Sequence, residues 1–88
     1  MHPADTETLT ADLVDNQVVL HFHLGTILCR RDGEQRYATL AEDEPGPVFD
    51  TRPKLDPRVP ETRHYLAFLR CIYRDDSFIT KEVSVTLL

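Results

Sequence analysis

Apolar side chains recur at every second position through most of the chain, and a period of two predicts strands, not helices. Leu9, Ala11 and Leu13 share one face, with Thr8, Thr10 and Asp12 on the other. Asp15-Asn16 breaks the run with two residues that tolerate left-handed backbone, so a turn is expected there. Val18, Leu20, Phe22 and Leu24 then resume, with His21 and His23 opposite. Ile27-Leu28-Cys29 lead into Arg30-Arg31-Asp32-Gly33-Glu34, and Asp-Gly between strand-like runs is the strongest short hairpin signal, so Tyr37 to Leu40 are expected to return from it. Ala41 to Gly46 carries Glu42, Asp43 and Glu44 ahead of Pro45-Gly46-Pro47 and reads as loop. Prolines 53, 57 and 60 then alternate with charges. Residues 41–63 are therefore expected to form a long acidic, then proline-rich, loop region around a short strand near 48–50, with only Leu55 and Val59 anchored.

From Tyr65 to Tyr73 the alternation is unbroken, which marks a central strand. Both its faces are apolar at the start, as expected of a strand covered on two sides or touching a partner. Arg74-Asp75-Asp76-Ser77 should turn the chain, and Val83, Val85 and Leu87 mark a closing strand. No amphipathic helix longer than one turn fits anywhere. Six or seven short strands separated by turn signals point to an all-β, antiparallel two-sheet sandwich, with residues 1–88 as a single domain and 1–6 frayed.

Composition narrows the classes. The 88 residues are 41% hydrophobic and 28% charged, a balance that supports one small core rather than disorder. No segment approaches the ~20 apolar residues of a membrane helix, so no membrane insertion is expected. The net charge of −5 argues against nucleic acid and anionic membranes as partners, because such binders carry an excess of Lys and Arg. The first residues show neither a basic start nor an apolar run of the secretory kind, so a cytoplasmic or virion-associated location is expected unless the chain is an excised domain.

The order and spacing of these runs resemble a fibronectin type III domain over nearly the whole chain. Leu9-Thr10-Ala11 ahead of Val18-Val19-Leu20-His21-Phe22 is similar to that family's first two strands, with Phe22 in the place of the buried tryptophan. Ile27 to Arg31, Asp32-Gly33 and Tyr37-Ala38-Thr39-Leu40-Ala41 look like the third strand, its hairpin and the return, and Phe49-Asp50-Thr51 like the fifth strand. Tyr65 sits six positions after Val59 with Pro60 between them. The resemblance implies that the Tyr65 hydroxyl bonds back to the backbone as a corner brace. It also implies that the third and sixth strands are neighbours, with Cys29 and Cys71 on core-facing positions, and it leaves open whether the two thiols are bonded. Lys81 to Thr86 resembles the closing strand. The chain departs from the family in lacking the tryptophan and in inserting Arg52 to Arg58 ahead of the corner.

Candidate chemistry is sparse. His21 and His23 lie on one strand face with no evident third ligand, so no metal or other cofactor is expected. Ser77 and Ser84 lack a visible base, no Gly-x-Ser-x-Gly elbow occurs, and adjacent carboxylates in Glu42-Asp43-Glu44 cannot flank a substrate, so no enzyme is expected. Protein contact remains. Leu66, Phe68 and Ile72 form a second apolar face, and Arg52, Lys54 and Arg58 make the proline-rich segment basic; these six are the candidate partner interface, with Phe22, Val59 and Tyr65 as structural residues. The expected role is a non-enzymatic interaction or structural module. It would be a subunit of a self-associated or larger assembly (virion, filament or cell-surface), or a domain of a modular protein. The alternative is a small intracellular regulator that blocks a partner through its acidic loop.

Overall fold

The turn at Asp15-Asn16 forms as the sequence suggests, with φ of 51° and 58° at the two residues. These left-handed conformations match the strand twist of a two-residue hairpin, joining β1 (Thr10–Val14) to β2 (Gln17–His21) with Val14 opposite Gln17. The computed structural model describes residues 8–70 and 77–88. Within them, β3 (Leu24–Arg31), β4 (Ala38–Pro45), β5 (Val48–Asp50), β6 (Glu61–Arg70), β7 (Ser77–Ile79) and β8 (Val83–Leu87) follow, and no helix occurs among the described residues. Two antiparallel sheets result. One has the order β1-β2-β5; the other runs β4-β3-β6-β7, with β8 also paired to β6. Residues 1–6, Cys71, Ile72, Tyr73 and the turn expected at Arg74 to Asp76 lie outside the described residues.

The inner faces of the sheets meet in one core. Val18 and Leu20 come from the first sheet, and Ile27, Cys29, Ala41, Tyr65, Ala67, Leu69 and Leu87 from the second. Strict alternation along β6 sends Arg63, Tyr65, Ala67 and Leu69 inward and leaves Leu66, Phe68 and Arg70 on the other side. Burying a Leu or Ile here stabilises the fold by about 1.5–3 kcal/mol each. Gly25 lets β3 approach β6 closely, since a Cβ at that position would collide with the Phe68 carbonyl.

Several expectations are corrected. The acidic run is not loop: Glu42, Asp43 and Glu44 lie within β4, with Glu44 opposite Gly25. β4 is an outer strand, so its carboxylates stay in water. A bulge accommodates the run: the ladder shifts register around Ile27, Asp43 adopts φ 50°, and its amide donates to Thr26 Oγ1 at 3.0 Å. The Asp32-Gly33 turn closes with Glu34 N–H donating to the Arg31 carbonyl, but the chain does not pair again until Ala38, so the connection is longer than a tight hairpin. Phe22 lies past the end of β2, half-buried at the edge of the core instead of at its centre. Leu55 and Val59 are 75% and 50% exposed and anchor nothing. β6 also starts four residues before Tyr65, which brings Arg63 into the core row.

At the far side of β6, two short strands share one edge. β7 pairs with Phe68 to Arg70 and β8 with Glu61 to Tyr65. Between them Thr80 bridges the gap, donating its N–H to the Ala67 carbonyl and accepting the Ala67 N–H on Oγ1. Asn16 ties the first hairpin to the end of β8 through a reciprocal pair: its Nδ2 donates to the Leu88 carbonyl and its Oδ1 accepts from Leu88 N–H.

Candidate functional site

Asp50 ends β5 and is 1% exposed, a place where a carboxylate must be matched to survive. Its Oδ1 accepts from Arg52 N–H and Nε, and Oδ2 accepts from Arg52 Nη2 at 2.8 Å and from the Tyr65 hydroxyl at 2.7 Å. Arg63, also 1% exposed, places Nη1 3.2 Å from the same Oδ2. Burial pushes the Asp50 carboxyl up, but the Arg52 and Tyr65 hydrogen bonds outweigh it and hold the pKa at about 2. Tyr65 is pushed well above the ordinary phenol range by burial and by the adjacent carboxylate. The corner brace implied by the family resemblance thus takes a different form, because a buried, ionised carboxylate is a stronger acceptor than a backbone carbonyl.

The network continues outward. Arg63 Nε donates to Glu61 Oε2 at 2.6 Å, and Arg31 Nε lies 3.2 Å from the same oxygen. Three backbone groups of the proline-rich segment dock on this cluster: the Arg52 carbonyl accepts from Arg63, the Pro53 carbonyl from Arg31, and Leu55 N–H donates to Glu61. Charged side chains therefore supply the hydrogen bonds that a proline-broken segment cannot find in a sheet. Cys29 is a buried free thiol on β3, opposite Tyr65, and burial pushes its pKa up.

The proposed basic residues separate. Arg52 is committed to Asp50, Lys54 Nζ donates to the Pro57 carbonyl, and the exposed Arg58 pairs with Asp56 at 3.2 Å. They do not form one cationic patch. The apolar candidates do come together: Leu66 and Phe68 lie on the outward face of β6, where Leu66 is opposite Leu28, and Phe68 stands between Thr26 and Ile79. Phe68 is 43% and Ile79 57% exposed. Ile72 is outside the described residues. The strip ends near Arg70, which pairs with Asp43 at 3.1 Å, and near Arg30, which pairs with Glu82 at 3.3 Å and stands over the Tyr37 ring.

Below the strip, His64 aligns three residues distant in sequence. Its Nδ1 is 2.7 Å from Ser84 Oγ and its Nε2 is 2.9 Å from Asp32 Oδ1. The Asp32 side chain is 74% exposed, so it does not supply the desolvated orientation of a catalytic carboxylate. Two residues along, Thr62 and Thr86 make the same kind of cross-strand bond at 2.8 Å, which marks the row as sheet pairing. His21 pairs with Asp12 at 3.2 Å, and among the described residues no three His, Cys, Asp or Glu side chains are grouped to hold a metal ion.

Sequence reasoning missed Asp50, Glu61, Arg31 and Arg63 as a unit, and it missed Leu28 and Ile79 in the strip. A signal for Arg63 was present, since it stands two positions before Tyr65 and so shares its face. No family model, no curated protein and no solved structure matches the chain.

Proposed function

We propose that the chain is a non-enzymatic β-sandwich module of fibronectin type III-like build, working by protein contact through the outward face of β3, β6 and β7. The observation that carries this reading is the outward strip of half-buried Leu28 and Leu66 and exposed Phe68 and Ile79, contributed by three adjacent strands and bordered by the Arg70–Asp43 and Arg30–Glu82 pairs. An apolar centre with a charged rim is the ordinary anatomy of a contact surface. The likeness in build is supported by the adjacency of the third and sixth strands and by the first-second-fifth order of the smaller sheet.

Photo-crosslinking tests the assignment of the face. Phe68 and Leu13 are equally exposed at 43% but belong to different sheets. A benzophenone amino acid at position 68 is expected to give discrete protein adducts in producing cells, and at position 13 few. Equal or greater yield at position 13 would overturn the assignment.

A further inference from the structure

We infer that the larger sheet carries, beside Phe68, a binding site for a neutral sugar ring. An open cleft of about 290 Å³ lies there, and all four strands of the path β4-β3-β6-β7 line it. β4 brings Glu42 and Asp43, β3 brings Gly25 and Thr26, β6 brings Phe68 and Arg70, and β7 brings Ser77. Thr26 is opposite Phe68, and Arg70 is opposite Ser77, so these four residues fall in two adjacent rows across the sheet. Arg70 Nε reaches Asp43 Oδ1 at 3.1 Å although β3 lies between their strands. The pair therefore spans β3, and both of its side chains border the cleft.

The chemistry of the lining selects the ligand. Arg70 beside Asp43 sets donors next to acceptors while their charges cancel, and Glu42 adds a further acceptor. Thr26 Oγ1 accepts the Asp43 N–H at 3.0 Å, which leaves the hydroxyl hydrogen to donate, and the Ser77 hydroxyl can do either. Phe68 presents exposed ring surface with no such capacity. An anion would meet two carboxylates, and a simple cation would leave the Arg70 and hydroxyl donors unused. A pyranose answers every group at once: it carries no charge, each of its hydroxyls both donates and accepts, and one face bears C–H groups that pack on an aromatic ring. Ligand pockets begin at ~300 Å³, so this cleft is of a size for one ring or two. Arg70 and Asp43 are each more than half exposed, so water competes for their hydrogen bonds and binding is weak, with Kd on the order of 1 mM. The ring is chemistry shared by a soluble saccharide and by the end of a glycan chain.

Amide NMR shifts of the full chain test the inference, in titrations with glucose, galactose, mannose and N-acetylglucosamine, each as the free sugar and as its methyl glycoside. Saturable shifts are expected at Thr26, Asp43, Phe68 and Ser77 with at least one of these, and none at Thr10 or Leu13 of the smaller sheet. Tighter binding of a methyl glycoside assigns the end of a glycan chain as the source, and tighter binding of the free sugar a soluble saccharide. Phe68→Ala and Arg70→Gln are each expected to weaken binding by about fivefold or more, whereas Leu13→Ala is expected to bind as the wild type does. Where Phe68→Ala does not give the dispersed spectrum of a folded chain, Arg70→Gln and Glu42→Gln, both at exposed positions, decide. No saturable shift with any sugar up to ~100 mM overturns the inference. So do shifts confined to other parts of the chain, binding indifferent to these substitutions, or tighter binding of acetate or tetramethylammonium at the same amides. The site lies beyond the protein-contact reading, since the titration contains no second protein; failure of the contact surface is read separately, from the position-13 comparison.

Discussion

The Tyr65 hydroxyl donates to Asp50 Oδ2 at 2.7 Å, and this bond joins the two sheets through a buried carboxylate. Arg52 and Arg63 complete its surroundings, so the link between the sheets at this end is ionic where the rest of the core is apolar.

Tyr65→Phe removes the donor and leaves the ring. A hydrogen bond to a charged group contributes about 1.5–3 kcal/mol, and that is the loss expected in urea unfolding. A loss within ~0.3 kcal/mol would mean that the two arginines alone satisfy Asp50.

Asp50→Asn keeps the shape but strips the charge, leaving Arg63 buried with no anion at its Nη1. Removing one partner of a buried pair costs about 3–5 kcal/mol. The pH dependence has a definite sign. The folded pKa of about 2 lies below the ordinary 3.8, so the contribution of Asp50 is fully present above pH ~4 and is lost as pH falls from there toward 2. Thermal melts between pH 2 and 7 should show this fall, and the Asn variant should show a shallower one. Parallel curves would place the acid sensitivity in other carboxylates.

Asn16 performs two tasks that two substitutions separate. Asn16→Gly keeps the left-handed backbone and loses only the tie to Leu88, at a cost of about 1 kcal/mol; Asn16→Ala loses the tie and adds strain at φ 58°, about 1 kcal/mol more. Equal unfolding midpoints for the two variants would show that the backbone conformation carries no cost.

The strand content was legible because alternation is a local signal: Ile27 and Cys29, or Tyr65, Ala67 and Leu69, face one way in sequence and in space. The Asp15-Asn16 turn was legible for the same reason, its chemistry residing in the two residues themselves. The acidic strand was not, since what makes Glu42 to Glu44 acceptable in β4 is the position of that strand at the border of its sheet, a fact of tertiary order. The ionic cluster was illegible for a related reason. Asp50, Glu61 and Arg31 are brought together by the pairing of β3 with β6 and by the docking of the smaller sheet, and nothing in their separate neighbourhoods announces it. Of the interface, Leu66 and Phe68 could be read from β6 alone, whereas Leu28 and Ile79 required the register of its neighbours.

The way the proline-rich segment is held has a consequence for its variability. Beyond the Arg52 side chain, which is committed to Asp50, its docking uses the Arg52 carbonyl, the Pro53 carbonyl and the Leu55 amide, groups that every or nearly every amino acid supplies, while the Leu55, Arg58 and Val59 side chains project into solvent. The path is thus fixed by the framework and the outward lettering is open to change. Side-chain changes at positions 55, 58 and 59 are therefore expected to leave the fold beneath them intact.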